Sequence, residues 1–422
     1  YRDFIEHLAF SAAGLAVVVL TCYIVERFSP SRRWLRIAIP IAFGVSLLLV
    51  LLVRVSPLGV SDFGARRWLN LGFVTFQPSE LLKVSIVLYL GQLLCWWRRM
   101  PKDGTVGWTF RSARNRGSED PRHYRSDSPT YYRDSWKTSL ELAQHSESEK
   151  LSTLERLLKP GKHGLLGWLR IDGRPSWPNL PKLCFLIILL AMGLTAIQPD
   201  LGTTGLILGV SVLTCILAGV RARDIMVLAA ILIGLGGLLL IAAPGSYNYA
   251  DKRIDTYVKL LRNQEVDDND AGYQITQGRG AVVVGGLIGK GFLNSEQKMN
   301  RLPLSTKDFI YPVIVEELGS IGGVAVMALF LYLAYCGIML GLASGDPFNQ
   351  TVIPALGLAV TLQALVNIGT TLGTLPLSGL PLPFLSNGGT SLLVSIFSIG
   401  IMYALARAEM LAGDKELEKV FR

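Results

Sequence analysis

Charged residues are scarce in this chain: they make up 17% of its 422 residues, whereas soluble domains carry about 25%. The hydrophobic share is 50% and the mean hydropathy is +0.40, and several charge-free runs are long enough to cross the ~30 Å hydrocarbon core of a bilayer. This scarcity excludes a disordered chain, a disulfide-stapled secreted domain and a nucleic-acid-binding module as the main interpretation. The sequence predicts a polytopic membrane protein that contacts membrane lipids and has no nucleic acid among its partners.

Cysteine is also scarce, with five residues in the whole chain. The cysteines are odd in number, scattered, and mostly embedded in apolar runs. Because no two of them have metal-ligand or redox spacing, we interpret them as small apolar filler.

Charge-poor windows predict nine transmembrane helices, with ends uncertain by several residues, at 8–25, 37–54, 80–97, 181–198, 200–219, 222–243, 309–340, 351–373 and 389–408. Helices are favoured because they satisfy every backbone polar group inside lipid. The seventh window is long enough to be strongly tilted or broken, and Gly319, Gly322 and Gly323 are its expected weak point. The predicted fold class is therefore all-α, a polytopic transmembrane helical bundle.

The Lys/Arg distribution predicts the orientation of these helices. Basic residues concentrate at 26–36, near 220, and at 98–180, where 16 Lys/Arg stand against 10 Asp/Glu, so this side is expected to be cytoplasmic. Alternation of nine helices then places Tyr1 outside, and we expect a missing first span that makes ten in the complete protein. The predicted segments are helices at 1–97, a largely flexible basic cytoplasmic loop at 98–180, helices at 181–243, a large extracytoplasmic loop at 244–308, helices at 309–410 and a cytoplasmic tail at 411–422.

Glu80 and Lys83 begin the third predicted helix and lie three residues apart on one helical face. They follow Arg66 and Arg67, two arginines in an outward loop, where the positive-inside rule disfavours them. One interpretation is a helix-start pair at the interface, where charge costs little. The alternative, which we favour, is a concentrated polar site that holds an anion at the outer face.

Other acidic residues lie near predicted helix ends. Asp200 precedes the fifth helix, where an N-cap role and a site role are both open, whereas Glu316 and Glu317 are expected to be buried structural contacts. Asp308 lies at the outer mouth of the seventh helix, where capping is the alternative to a functional role. The glycine-rich run at 285–291 lacks the spacing of a phosphate loop, and we reject that interpretation.

The segment 374–388 is apolar but contains three prolines, so it cannot form a regular helix. Non-helical backbone at membrane depth is tolerated only where it is buried in protein or lines a cavity. We therefore predict a re-entrant outer loop that forms a wall of a substrate groove, with a simple outer loop as the alternative.

Several motifs together resemble the SEDS (shape, elongation, division and sporulation) family, which includes FtsW, RodA and SpoVE. The most specific are Asp-Phe-Ile followed by Glu-Glu-Leu-Gly at 308–319 and Leu-Pro-Phe-Leu-Ser-Asn-Gly-Gly at 382–389. The remaining matches run in family order across nearly the whole chain apart from the basic insert: 64–83, 198–204, 272–274, 285–291, Asn367 and 376–390.

This resemblance implies a ten-helix glycosyltransferase of the bacterial cytoplasmic membrane that polymerises lipid II, an undecaprenyl-diphosphate-linked disaccharide pentapeptide, and works with a class B penicillin-binding protein. It implies that Asp308 is the catalytic aspartate, facing outward, and that Glu80 and Lys83 line the central cavity. Expected substrate-binding residues are Arg66, Arg67, Glu80, Lys83, Asp200 and Ser386. Expected structural or cavity residues are Trp68, Gln77, Pro78, Gln274, Glu316, Glu317, Asn367, Gly388 and Gly389.

The chain departs from the family pattern around the expected catalytic residue, where Leu304, Lys307 and Tyr311 replace the usual residues and Asn387 stands in place of Tyr. Lys307 is expected to depress the pKa of Asp308. Asp308 is expected either to deprotonate the attacking sugar hydroxyl or to bind a divalent cation, Mg²⁺ or Mn²⁺. Arg66, Arg67 and Lys83 are expected to bind the diphosphate.

Two other functions remain open at this point. A lipid II flippase would also need intramembrane charges and a broken helix, and the altered residues around Asp308 favour a weakly active scaffold for the transpeptidase. Whether the chain acts in elongation or division is open too, because 376–379 favours elongation and 296–298 favours division.

Overall fold

The protein is mostly helical in a computed structural model. The structure describes residues 2–28, 33–62, 65–70, 72, 75–98, 182–198, 200–230, 234, 253, 255–259, 262, 264, 270–297 and 307–421. Its helices are α1 (Arg2–Phe28), α2 (Arg33–Val55), α3 (Pro78–Arg98), α4 (Lys182–Ala196), α5 (Leu201–Leu217), α6 (Asp270–Gly285), α7 (Ile310–Ala343), α8 (Pro347–Thr371) and α9 (Gly389–Phe421).

Most of the predicted transmembrane windows coincide with these helices. Within the described residues, five helices are long and apolar enough to cross a membrane, namely α2, α3, α7, α8 and α9, and shorter apolar stretches lie in α1, α4 and α5. Of the predicted sixth window, residues 222–230 are helical and most of the rest lies outside the described residues. The count of nine spans stays a prediction, as does the flexible loop at 98–180, which lies outside the described residues after α3.

A small antiparallel sheet connects α2 to α3, and the sequence analysis did not predict it. Strand β1 (Gly59–Asp62) pairs with β2 (Ala65–Asn70), which pairs with β3 (Thr75–Phe76). The all-α fold class is therefore wrong in this detail. Pro78 follows at the first position of α3, where its fixed φ and missing N–H cost nothing.

Helix α9 contacts its neighbours at two places. Gly389, the first residue of α9, lies against Phe10 of α1, and a Cβ there would approach the Phe10 ring to 2.5 Å. Further along α9, Glu409 accepts hydrogen bonds from Gly345 N in the turn between α7 and α8 at 2.6 Å and from Asn349 Nδ2 of α8 at 2.7 Å. These contacts hold α1, α8 and α9 together.

Helix α7 is broken at Gly319, as the sequence predicted. Gly319 has φ 75° and ψ 179°, a conformation that is open almost only to glycine. A break in a membrane helix leaves backbone groups without partners. The turn after α6 supplies them: Lys290 N and Gly291 N donate to Glu316 O and Glu317 O at 2.9 and 3.0 Å.

The same turn also accepts hydrogen bonds from the second half of α7. Ser320 N donates to Gly286 O at 2.8 Å, and Ile321 N donates to Leu287 O at 3.3 Å. The glycine-rich run therefore has a structural role, since it completes the hydrogen bonding of a broken helix.

Candidate functional site

Asp308 lies two residues before α7, next to Phe309, the N-cap residue of that helix. Its backbone carbonyl accepts a hydrogen bond from Asn367 Nδ2 of α8 at 2.8 Å. The same amide nitrogen donates to Leu380 O at 2.7 Å. Asn367 therefore fixes Asp308 relative to the loop at 374–388.

The loop at 374–388 has no regular helix, as its prolines predicted, and several of its residues are buried, including Leu377, Leu380 and Leu382. Residues that the sequence analysis did not single out hold it in place. Tyr257 Oη donates to Thr374 O at 2.7 Å, and Arg279 donates to Gly373 O at 3.0 Å. The re-entrant path of this loop stays a prediction.

Arg253 and Asp308 meet at Gly379 of this loop. Gly379 has φ 67°, and a Cβ built there would lie 3.6 Å from both Asp308 Oδ2 and Arg253 Nη1. The carboxylate and the guanidinium are therefore no more than about 7 Å apart. Arg253 Nη1 also donates to Leu377 O at 3.0 Å, so one arginine both anchors the loop and faces the carboxylate.

Burial dominates the electrostatics of Asp308. Desolvation raises the pKa of its carboxyl from 3.8 to about 6, although the cations Arg253, Lys307 and Arg67 lower it and the Asp200 carboxylate raises it further. Lys307 lowers the pKa of Asp308, as expected from the sequence, but the net shift is upward because the loss of hydration outweighs the three cations. A carboxyl group with a pKa near 6 is ionised at neutral pH and is a stronger base than an ordinary aspartate.

Asp200 and Arg67 lie beside this carboxylate. Asp200 is the N-cap of α5: its Oδ1 accepts from Thr203 N at 3.2 Å and its Oδ2 from Thr203 Oγ1 at 2.8 Å. Its carboxylate lies 3.8 Å from Arg67 Nη1. Asp200 thus has the N-cap geometry and also lies in the cationic surroundings of Asp308.

Arg66 and Ser386 are engaged elsewhere. Neighbouring residues of a strand point to opposite faces of the sheet, and Arg66 Nε donates to Gly59 O at 2.9 Å, whereas Arg67 is turned toward Asp200. Ser386 Oγ accepts from Leu382 N at 2.7 Å within its own loop. The substrate-binding roles of both residues stay predictions.

Glu80 and Lys83 form a second polar cluster within the bundle. Lys83 Nζ donates to Glu80 Oε1 at 2.8 Å and to Gln363 Oε1 of α8 at 2.5 Å, and all three side chains are buried. These residues line a cavity together with Val210, Leu356 and Ser395. Lys83 is not among the groups that act on the pKa of Asp308.

Helix α8 connects the two clusters. Gln363 Nε2 donates to Pro381 O at 2.9 Å, and Asn367, one turn further along the helix, donates to Leu380 O. Two adjacent carbonyls of the loop are therefore held by two amides of one helix.

The other predicted structural residues are distributed around these clusters. Glu316 is fully buried and accepts from Ser295 Oγ at 2.5 Å and from Glu296 N at 3.1 Å. Glu317 is buried too. Gln77 N donates to Thr390 Oγ1 at 3.3 Å and so connects the start of α3 to α9. Trp68 is half-buried in β2, Gln274 is buried in α6, and Gly388 directly precedes α9.

Arg253 and Gln363 were missed by the sequence analysis. Arg253 carries the same signal that singled out Arg66 and Arg67, a cation in a predicted outward loop. Gln363 carries no such signal, because one glutamine in an apolar helix is compatible with many roles. Only its partners reveal that it joins Lys83 to the loop.

The surroundings of Asp308 do not suit a metal held by protein side chains. Within the described residues, no group of three or more His, Cys, Asp or Glu side chains lies close enough to bind a metal ion. The nearest charged groups are mainly cations, and the Asp200 carboxylate is already used as a helix cap.

Solved structures share this fold. One, described as "Structural coordination of polymerization and crosslinking by a peptidoglycan synthase complex", matches with a TM-score of 0.59 and 21% identity over 97% of this chain and 94% of that chain. The crystal structure of the rod shape determining protein RodA of Thermus thermophilus matches with a TM-score of 0.53 and 22% identity over 95% of this chain and 88% of that chain.

Relatives with similar sequences are known from several bacteria. The chain is 30% identical to the probable peptidoglycan glycosyltransferase FtsW of Geobacter metallireducens over 88% of this chain and 77% of that protein. It is 28% identical to the stage V sporulation protein E of Bacillus subtilis over 94% of this chain and 85% of that protein. The family model for FtsW, RodA and SpoVE, described as "cell cycle protein", matches residues 3–111 and 173–410. The chain therefore belongs to the FtsW/RodA/SpoVE (SEDS) family.

Proposed function

We propose that this protein is a peptidoglycan glycosyltransferase that polymerises lipid II at the outer face of the bacterial cytoplasmic membrane. The observation that carries the proposal is the Asp308 carboxyl, whose pKa is raised to about 6 among three cations at the start of α7. The names of the relatives support the reaction class, since several are probable peptidoglycan glycosyltransferases.

The reaction requires one base and cationic stabilisation of a leaving group. Joining an α-linked diphosphate donor to a sugar 4-hydroxyl with β geometry inverts the anomeric carbon. Asp308 accepts the proton of the attacking hydroxyl as the new C–O bond forms and the C–O bond to the diphosphate breaks. The negative charge that develops on the departing diphosphate lies near Arg253 and Arg67, which suit phosphate geometry.

This proposal changes the residues assigned to the diphosphate. Arg67 is retained and Arg253 is added, because both act on the Asp308 carboxyl. Arg66 donates to its own hairpin, and Lys83 is paired with Glu80 and Gln363 away from Asp308. Lys83 and Glu80 then serve to set the geometry of the cavity.

A class B penicillin-binding protein is the proposed partner. The support is the fold shared with a component of a peptidoglycan synthase complex, described as coordinating polymerisation and crosslinking. The outward direction of Asp308 belongs to the same proposal.

Polymerisation of labelled lipid II by the purified protein in liposomes tests the proposal. Wild type is expected to yield glycan chains on a gel, whereas Asp308→Asn is expected to lose at least ~100-fold in rate because the base is absent. Asp255→Asn is the matched control, since this acid is exposed and pairs with Lys259. Both variants are checked for intact folding by a melting temperature no lower than that of the wild type.

Three outcomes contradict the proposal. Leaflet exchange of lipid II without chains would identify a flippase. Equal glycan yield from wild type and Asp308→Asn, with binding to the transpeptidase retained, would identify a scaffold. Loss of activity in Asp255→Asn as well would show that the loss in Asp308→Asn does not come specifically from the missing base. Repeating the wild-type assay with a chelator and with added Mg²⁺ or Mn²⁺ tests the cation expected from the sequence.

A further inference from the structure

The turn that completes the broken helix α7 exposes large apolar side chains. In residues 286–293, hereafter the apolar turn, Leu287 is 73% exposed, Ile288 81% and Phe292 73%. Val283 and Val284, at the end of α6, extend the same surface. A soluble surface rarely presents so many adjacent large apolar side chains without an interaction partner.

The depth of the apolar turn along α7 follows from its hydrogen bonds. Leu287 O accepts from Ile321 N and Gly286 O from Ser320 N, so the turn lies level with the break at Gly319. The part of α7 after the break, 320–343, is about 36 Å long at 1.5 Å per residue. This length alone crosses the ~30 Å hydrocarbon core. The break therefore lies at the boundary of that core on the Asp308 side.

The exposed surface of the apolar turn is continuous with the exposed face of α7. Ile321, whose amide is bonded to the turn, is 66% exposed, and Val324 one turn further is exposed too. These side chains belong to a segment that is apolar and long enough to cross a membrane. The occupant that covers Ile321 is therefore expected to cover Leu287 and Ile288 as well.

A polar pair marks the other edge of the apolar turn. Lys290 Nζ donates to Glu296 Oε1 at 2.8 Å, and the Glu296 side chain is 73% exposed. An apolar tip with a charged pair beside it is the arrangement expected of a segment that lies in a membrane interface.

The backbone of the apolar turn is held too rigidly to withdraw into the protein. Four backbone hydrogen bonds join it to the two halves of α7. Glycines allow this close approach: a Cβ at Gly319 would lie 2.1 Å from Leu287 O, and one at Gly289 would lie 2.3 Å from Glu317 O. The exposed side chains are thus presented at a fixed depth.

We propose that the apolar turn inserts Leu287, Ile288 and Phe292 into the acyl-chain boundary of the lipid leaflet on the Asp308 side of the membrane. The turn thereby sets the height of the first part of α7, and of Asp308, relative to the bilayer. The insertion does not depend on the proposed glycosyltransferase activity.

Site-directed spin labelling tests the insertion. The five native cysteines are replaced, and single cysteines are introduced by Ile288→Cys, Phe292→Cys, Leu329→Cys and Asp255→Cys in protein reconstituted into phosphatidylethanolamine/phosphatidylglycerol liposomes. Leu329 is the lipid reference, since it is exposed on α7, and the exposed Asp255 is the water reference. Labels at 288 and 292 are expected to resemble Leu329, with collisions with oxygen outnumbering those with a water-soluble nickel complex.

Three results would overturn the proposal. Nickel accessibility at 288 and 292 equal to that at 255 places the turn in water. Inaccessibility to both reagents places it inside the protein. If the transpeptidase removes oxygen accessibility at 288 but not at 329, the turn is a protein-docking site instead. If a cysteine variant fails to fold, Phe292→Trp with the native cysteines provides a second measurement. Brominated lipid tails are then expected to quench a larger fraction of the tryptophan fluorescence in this variant than in the wild type.

Discussion

Among the cations, Arg253 has the largest effect on the pKa of Asp308, and replacing it should move the pH dependence of polymerisation. Since a general base works only when deprotonated, kcat/KM of the wild type is expected to rise with pH through about 6, the pKa of Asp308, and to be about tenfold lower at pH 5 than at pH 8. Two charges no more than about 7 Å apart interact by about 2 kcal/mol at an effective dielectric constant of 20. One pKa unit corresponds to 1.36 kcal/mol, so Arg253→Gln should raise the pKa by one to two units.

The assay is lipid II polymerisation between pH 5 and pH 9, with the position of the acid limb as the measured quantity. Arg253→Gln should show its limb near pH 7 to 8 and lose several-fold in rate at pH 7, with partial recovery at pH 9. Arg253→Lys keeps the charge but loses the hydrogen-bond geometry to Leu377 O, so its limb should stay near the wild-type position. Arg262→Gln, an exposed arginine of the same region, is the matched control.

The reasoning is refuted if the acid limb of Arg253→Gln coincides with that of the wild type. It is also refuted if Arg253→Lys shifts the limb as far as Arg253→Gln does, since the effect would then come from the loop anchor and not from charge. A wild type without an acid limb above pH 5 would remove the premise that Asp308 is the base.

Three further predictions concern stability, measured as the melting temperature of the purified protein. Lys83→Met should destabilise by about 3–5 kcal/mol, because it leaves the buried Glu80 without its partner, whereas the double variant with Glu80→Gln should recover much of the loss. Asp308→Asn should raise the free energy of unfolding at neutral pH. The folded pKa of Asp308 of about 6 exceeds the ordinary 3.8, so ionising this carboxyl lowers the stability of the wild type by up to about 3 kcal/mol above pH 6. Below pH 4 the carboxyl is protonated and this loss of stability is absent. Gly319→Ala should destabilise by at least ~2 kcal/mol, because its φ of 75° disfavours alanine and its Cβ would strike Leu287 O.

Each of these predictions has its own control. Gly280→Ala, in α6 with open space around its Cβ, should leave the melting temperature nearly unchanged, and an equal loss there would mean that the break is not special. For Asp308→Asn, a rise in melting temperature over the wild type that is the same at pH 4 and pH 8 would contradict the role of ionisation. For Lys83, a double variant no more stable than the single one would show that Glu80 and Lys83 are not energetically coupled.

The helices were predictable from sequence because lipid demands long uninterrupted apolar runs, and such runs have few alternative structures. The break in α7 was predictable for a related reason: three glycines lie in a helix longer than a membrane needs. The sheet at 59–76 was not predicted, since its strands are short and its residues, such as Arg66 and Trp68, also suit an irregular loop.

The candidate site was predictable in part. Asp308 and Arg67 are charged residues in an otherwise apolar chain, so their presence alone attracts attention. The side of β2 on which Arg66 points depends on pairing with β1, and the partners of Arg253 depend on a loop more than a hundred residues away in sequence. Such pairings follow from tertiary structure and leave no local pattern.

The net pKa of Asp308 illustrates the same limit. From the sequence, Lys307 is the one neighbour that can be identified with certainty, and a neighbouring cation lowers the pKa of a carboxyl. The opposing effect comes from burial, which depends on how α8 and the loop at 374–388 enclose the residue. Gln363 and Asn367 set that enclosure by binding the consecutive carbonyls Pro381 O and Leu380 O. The basicity of Asp308 therefore depends on how α8 holds the loop at 374–388. Lys83 is connected to that loop through its hydrogen bond to Gln363.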